Sequence, residues 1–211
     1  MFESFGVINI WTYIAGLIFI ILAPGPNSLY VLKTGASYGI ATGYCAVAGV
    51  LLGDAILILL SYLGVASLVQ TSPFLFTAMR YLGAAYLLYL GVSLIYSNWA
   101  APKVKAFSPK VKTEKVFRKS LSLSLTNPKA LLFYVSFFIQ FVDYSYHSTW
   151  ISYSILAMIL EAFSLIYLSV LIVLGRALTR YFHQNKSLAK MGNSLLGLFF
   201  MGFAARLSIL N

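Results

Sequence analysis

The sequence predicts an all-α, polytopic membrane protein of six transmembrane helices, arranged as a 3+3 inverted repeat in which helices 1 and 4 are broken by proline. Three observations predict it. The chain is 60% hydrophobic and only 9% charged, with a mean hydropathy of +0.86. A soluble domain carries about 25% charged residues, so this chain lacks the polar groups to cover a surface in water and must use lipid as solvent. Six apolar stretches meet the length of about 20 residues that a membrane-spanning helix needs. Two of those stretches, half a chain apart, are interrupted by proline in the same way.

The first stretch, residues 7–34, contains Ala23-Pro24-Gly25-Pro26-Asn27 inside a run from Ser4 to Leu32 that has no charged residue. Two prolines and a glycine remove backbone donors and bend the chain there. Unpaired backbone groups in hydrocarbon cost several kcal/mol each, so such a break must face protein or a water-filled cavity. That makes Pro24, Gly25, Pro26 and Asn27 candidate binding residues. No removable signal peptide is expected, because Glu3 precedes the apolar run, no basic residue does, and no small-residue cleavage site follows.

A short linker with Lys33, Gly35, Ser37 and Gly39 leads to the second stretch, residues 40–67, whose length predicts a tilted helix. Thr71-Ser72-Pro73 ends it, since proline forces its predecessor out of the helical region and can itself begin a helix. The third stretch, 74–97, carries Tyr81, Tyr86, Tyr89 and Tyr96. Residues 100–119 are predicted to be a loop, basic through Lys103, Lys105, Lys110, Lys112, Lys115, Arg118 and Lys119. The fourth stretch, 120–142, opens with serine alternating with leucine and holds the second break, Thr126-Asn127-Pro128-Lys129. A short turn over 143–149 precedes the fifth stretch, 150–174, and a basic linker precedes the sixth, 187–210.

Positive charge marks the cytoplasmic side. Placing the long basic loop there brings every lysine and arginine except Arg80, Lys129 and Arg206 to that side and turns both termini outward. Trp11, Trp99 and Trp150 fall near segment ends, as interfacial aromatics should. The net charge of +10 is thereby explained by topology, and nucleic-acid binding is not expected. The single Cys45 excludes an internal disulfide, a cysteine metal cage and a dithiol relay. His147 and His183 have no partner at metal-ligand spacing. No cofactor is expected.

The chain is read as one transmembrane domain, residues 1–211: a first repeat over 1–99, a cytoplasmic basic linker over 100–119 and a second repeat over 120–211. Each repeat starts with a proline-broken segment, continues with one bearing a central acid, and ends with a glycine-spaced one. Three segments per half give the halves opposite orientations, the inverted repeat of many secondary transporters, whose sites lie at the midplane between broken helices.

The central acids are Asp54 and Glu161. An acid at mid-bilayer costs roughly 2.5 to 3.5 kcal/mol, so each requires a reason. The functional reading is proton coupling or capture of a cationic group; the structural one is a permanent pair with Lys129 or a hydrogen bond to freed backbone. Lys129, directly after the second break, either meets a substrate carboxylate, neutralises Asp54, or extends toward the interface. Asn27 and Asn127 flank the breaks, where an amide can replace lost backbone partners or contact a ligand. The half-helices after Pro26 and Pro128 present free N–H groups suited to an anion. A free amino acid would fit between that positive end and an acid. Gly49 and Gly53, and the run Gly35, Gly39 and Gly43, are expected to serve helix packing, and such faces also permit a homodimer.

These residues resemble the LysE/RhtB family of amino-acid exporters over essentially the whole length. The matching pieces are 23–27 (Ala-Pro-Gly-Pro-Asn), 49–54 (Gly-Val-Leu-Leu-Gly-Asp), 81–91 and 125–130 (Leu-Thr-Asn-Pro-Lys-Ala). Within that family, 133–138 and 202–207 look closest to the branch that exports leucine. The resemblance implies a carrier of the bacterial inner membrane, not an enzyme, that expels neutral aliphatic amino acids in exchange for protons. Its partners would be a small amino acid, protons and the bilayer. The alternatives are export of another amino acid or small metabolite, such as homoserine, threonine or basic amino acids, or a non-transporting membrane subunit. An intramembrane redox carrier is disfavoured because a thiol relay needs a pair.

Overall fold

The computed structural model describes residues 2–22, 25–96, 113–184, and 194–195, 197–199, 201–202 and 204–205. Among them the chain is helical, and the one β feature is an isolated antiparallel bridge between Val7 and Val142. A 3-10 turn over Glu3–Phe5 precedes α1 (Ile10–Leu22), α2 (Pro26–Tyr38), α3 (Ile40–Thr71), α4 (Pro73–Tyr96), α5 (Thr113–Leu125), α6 (Pro128–Phe138) and α7 (Thr149–Gln184). Apolar windows of 26 residues in α3 (Ile40–Val65, mean hydropathy 2.2) and α7 (Thr149–Leu174, mean hydropathy 2.4) are long enough to cross a bilayer. The bent pair α1 and α2, angled by 56°, is long and apolar enough for a third if the two are counted as one span. The expected sixth stretch lies mostly outside the described residues, which are helical where seen between 194 and 205.

Both proline breaks fall where the sequence puts them. Pro26 is the first residue of α2, where its missing N–H has no partner to lose, and Gly25 precedes it in extended backbone. Pro128 starts α6 in the same way. Pro24 lies outside the described residues. Three boundaries differ from expectation, and one of them is α7, which runs ten residues past the expected end of the fifth stretch, through the first part of the expected basic linker, to Gln184. The predicted linker around residues 33–39 shrinks to Gly39, because α2 runs on to Tyr38. Thr34, Gly35, Ala36 and Ser37 are buried, and Gly35 faces Ile172 of α7, so tertiary packing keeps this polar stretch helical. Gly39 then turns the chain at φ 92°, a left-handed conformation that suits glycine. The predicted loop over 100–119 is overturned at its end: α5 begins at Thr113. Glu114 in the first turn suits the helix dipole and pairs with Arg118 one turn on, at 2.7 Å.

Many large apolar side chains face outward, among them Leu59, Leu60, Leu82, Met158, Ile166 and Val173. That inversion is expected when lipid is the solvent. Inside, two separate apolar clusters form. One joins α1, α3, α6 and α7 through Tyr13, Leu17, Leu57, Phe133, Phe137, Phe138 and Leu156. The other joins α2, α3, α5 and α7 through Val31, Val47, Val50, Val116, Leu168 and Ile172.

The tightest seam is α3 against α5. A Cβ on Gly49 would overlap the Ser120 hydroxyl and come within 2.6 Å of the Phe117 carbonyl oxygen, and one on Gly53 would lie 2.6 Å from the Ser124 Cβ. Ser120 and Ser124 are fully buried on the facing side. The Gly49/Gly53 pair therefore packs helices within one chain, which takes it out of any homodimer face; Gly35 and Gly43 likewise approach each other, with 3.1 Å from a Gly43 Cβ to the Gly35 Cα. Gly49→Ala is expected to lower stability by about 1–3 kcal/mol through overpacking. Gly64→Ala, where nothing lies within 4 Å, should be neutral or slightly stabilising. Thermal unfolding of the two variants in detergent checks this.

Candidate functional site

The seam of α3 and α5 carries a polar cluster at its end. Asp54 follows Gly53 on α3 and is 5% exposed. Ser124 of α5 donates its hydroxyl to Asp54 Oδ1 at 2.5 Å and accepts Asn27 Nδ2 of α2 at 3.3 Å. Tyr134 of α6 is buried and interacts electrostatically with Asp54. The cluster thus links the half-helix after the first break to both sides of the second. Its existence follows from the seam: only with glycine at 49 and 53 do the helices come close enough for Ser124 to reach Asp54.

A cavity of about 110 Å³ opens beside this cluster. Gly25, Asn27 and Ser28 from the start of α2, and Asn127 from the start of α6, stand on its wall with Asp54 and Tyr134. Ser164 and Tyr167 of α7 complete the polar part. Apolar lining comes from Ile20 and Ile21 of α1, Phe133 of α6 and Leu160 of α7, with Val50 and Leu168 from the second apolar cluster. The backbone at the second break is largely accounted for by its own turn. The Asn127 N–H donates to the Ser124 carbonyl at 3.0 Å, and the Asn127 carbonyl accepts from Ala130 and Leu131 at 3.1 and 3.2 Å. At the first break the Gly25 carbonyl accepts from Leu29 at 3.0 Å. Asn27 Oδ1 is buried without a hydrogen-bond partner among the described residues.

Of the residues singled out from the sequence, Gly25, Asn27, Asp54 and Asn127 meet at this cavity, with Pro26 and Pro128 as the helix starts that place the two asparagines. The side chain of Lys129 lies outside the described residues, so a pair with either acid is not seen. Glu161 is not on the wall. Its neighbour Leu160 is, and Glu161 interacts electrostatically with Asp54. Both carboxyl oxygens of Glu161 are buried with no hydrogen-bond partner among the described residues. The sequence reading missed Ser124, Tyr134, Ser28, Ser164 and Tyr167. For Ser124 a signal existed: Ser120 and Ser124 repeat the four-residue spacing of Gly49 and Gly53, so two small-residue stripes are matched in length.

A cavity reached by both proline breaks, within a shell of outward-facing apolar side chains, is the pattern of a membrane protein. Over residues 18–211 the chain matches the family LysE type translocator, and it belongs to that family. It is 52% identical to a leucine efflux protein of Salmonella typhimurium over 210 residues, covering 100% of this chain and 99% of the relative. Leucine efflux proteins of Enterobacter sp. (51% over 211 residues, 100% of both chains) and Klebsiella pneumoniae (50% over 210 residues, 100% of this chain and 99% of the relative) are similar at the same level. No solved structure gives a significant match to the chain.

Ser124→Ala removes the donor to Asp54 and the acceptor for Asn27 together. A hydrogen bond to a charged group contributes about 1.5–3 kcal/mol, so the variant should lose stability of that order and unfold at a lower temperature than wild type. Ser122→Ala on the exposed side of the same helix should not. Thermal unfolding of both in detergent is the check.

Proposed function

We propose that this chain is a secondary active exporter of neutral aliphatic amino acids, leucine and similar ones, working as a proton antiporter in the bacterial inner membrane. The observation that carries the reading is the cavity itself. Both proline breaks reach it, an acid stands on its wall, and its volume suits the solute. At about 110 Å³ the cavity has room for a small solute rather than a single water.

In this reading the six spans form a 3+3 inverted repeat over 1–99 and 120–211 with both termini periplasmic. Supporting it are the two matched breaks, α1/α2 and α5/α6, meeting at one site, and the relatives that bear the name leucine efflux protein. The amino acid's ammonium group is held by Asp54, and its carboxylate is met by the N–H ends of the half-helices starting at Pro26 and Pro128, where Gly25, Asn27 and Asn127 stand, with Pro24 shaping the first break. Lys129 supplies a cation beside that carboxylate. Asp54 and Glu161 share the proton work: a proton bound at this pair and the ammonium group compete for the same negative charge, so one leaves as the other enters. Rocking of one repeat against the other exposes the site alternately to each side.

Asp54→Asn tests the role directly. The amide keeps an oxygen that accepts from Ser124, so the fold is retained while the charge is lost. Leucine efflux from preloaded proteoliposomes under an imposed proton gradient should fall at least about tenfold, the effect of roughly 1.4 kcal/mol of lost interaction. Gradient-driven efflux at the wild-type rate would remove Asp54 from the mechanism, and wild-type efflux no faster than from empty liposomes would remove leucine as the substrate.

A further inference from the structure

We infer that Ile20, Ile21, Ala130, Phe133 and Leu160 form the subsite for the substrate's aliphatic side chain, with Phe133 setting its depth. This rests on the amino-acid reading above and deepens it. All five line the cavity. All five also belong to, or pack on, one apolar cluster, whereas Val50 and Leu168 on the wall belong to the other. The wall thus has a continuous apolar patch beside the polar groups Asp54, Asn27 and Asn127, matching the two ends of a free aliphatic amino acid. Phe133 is 4% exposed and stacks on Phe137 with centroids 4.7 Å apart, so the ring is held in place and limits the room beyond it. A change of one methylene in such a pocket alters preference by about 10- to 200-fold.

Two substitutions of opposite sense test it by competition in the efflux assay. Phe133→Leu should raise export of phenylalanine relative to leucine by about tenfold or more, and Ala130→Leu should shift preference toward valine and alanine. Unchanged preference in either variant, while it still exports leucine, overturns the subsite and leaves the exporter reading standing. Wild-type protein that exports no neutral amino acid overturns both.

A separate observation carries a second inference: the side of the cavity toward the N-terminus is a closed gate. Phe133, Phe137 and Phe141 form a column of rings from the cavity wall, 4.7 and 4.9 Å between successive centroids. Tyr13 packs on Phe137, Phe138 and Phe141 at 5.2–6.0 Å and donates its hydroxyl to the Leu156 carbonyl at 2.7 Å. Over the far end lies the N-terminal strap. Ile8 donates to the Phe141 carbonyl and Asp143 to the Gly6 carbonyl, each at 2.9 Å, and Ser152 Oγ donates to the Phe5 carbonyl at 2.6 Å. Tyr13, Phe137 and Phe138 are fully buried, so no solute passes until strap and column part.

The bridge hydrogen bonds flank Val7 and Val142, making them a non-hydrogen-bonded pair whose side chains are close enough for a disulfide. In a Cys45→Ser background, Val7→Cys with Val142→Cys should export leucine when reduced, lose export on oxidation, and recover it with a reducing agent. Fully cross-linked protein that exports at the reduced rate overturns the gate. The reduced protein separates that result from failure of the exporter reading.

Discussion

The rest of the structure depends on how closely α3 and α5 approach. Where Gly49 and Gly53 meet Ser120 and Ser124, there is no room for a single added carbon. In lipid no hydrophobic drive holds helices together, so close backbone approach and interhelical hydrogen bonds carry the association. Both operate here. Small residues let the backbones touch, and at that distance Ser124 reaches Asp54.

That contact also makes a buried acid tolerable. Asp54 would be costly in an apolar helix on its own, but the Ser124 hydroxyl of a neighbouring helix donates to it. Because Ser124 also accepts from Asn27, the same hydroxyl ties the half-helix after the first break to the half-helix before the second. The cavity is the space left where the two proline-started helices and their neighbours are pinned at one point. Part of its polar wall is made of break residues, which are the backbone sites least able to face hydrocarbon.

The two apolar clusters divide the remaining work. The aromatic one, from Phe133 to Phe141 with Tyr13, is rigid through ring packing and is fastened by the N-terminal strap. The aliphatic one holds α2, α3, α5 and α7 around valine, leucine and isoleucine. Glycine at 6 belongs to the fastening: it adopts φ 69°, and a Cβ there would meet Tyr146 at 2.7 Å. Side chains that would be core in water instead face lipid along α3 and α7, so the protein's interior is more polar than its surround.

The sequence by itself determined the solvent, the helices and the breaks. Apolar length, charge scarcity and proline act locally, and Pro26 and Pro128 start helices wherever the chain goes. It also marked Asn27, Asp54 and Asn127, since a polar group inside an apolar run needs a partner whatever the fold. Only the tertiary structure decided which partner. Ser124 and Tyr134 look like ordinary residues of a half-apolar stretch until α5 and α6 are laid against α3. The helical course of residues 34–38 and of the first turn of α5 was decided the same way, by burial against α7 and by packing of Val116 into the second apolar cluster. Local chemistry states what each residue requires, and packing between distant segments settles where that requirement is met.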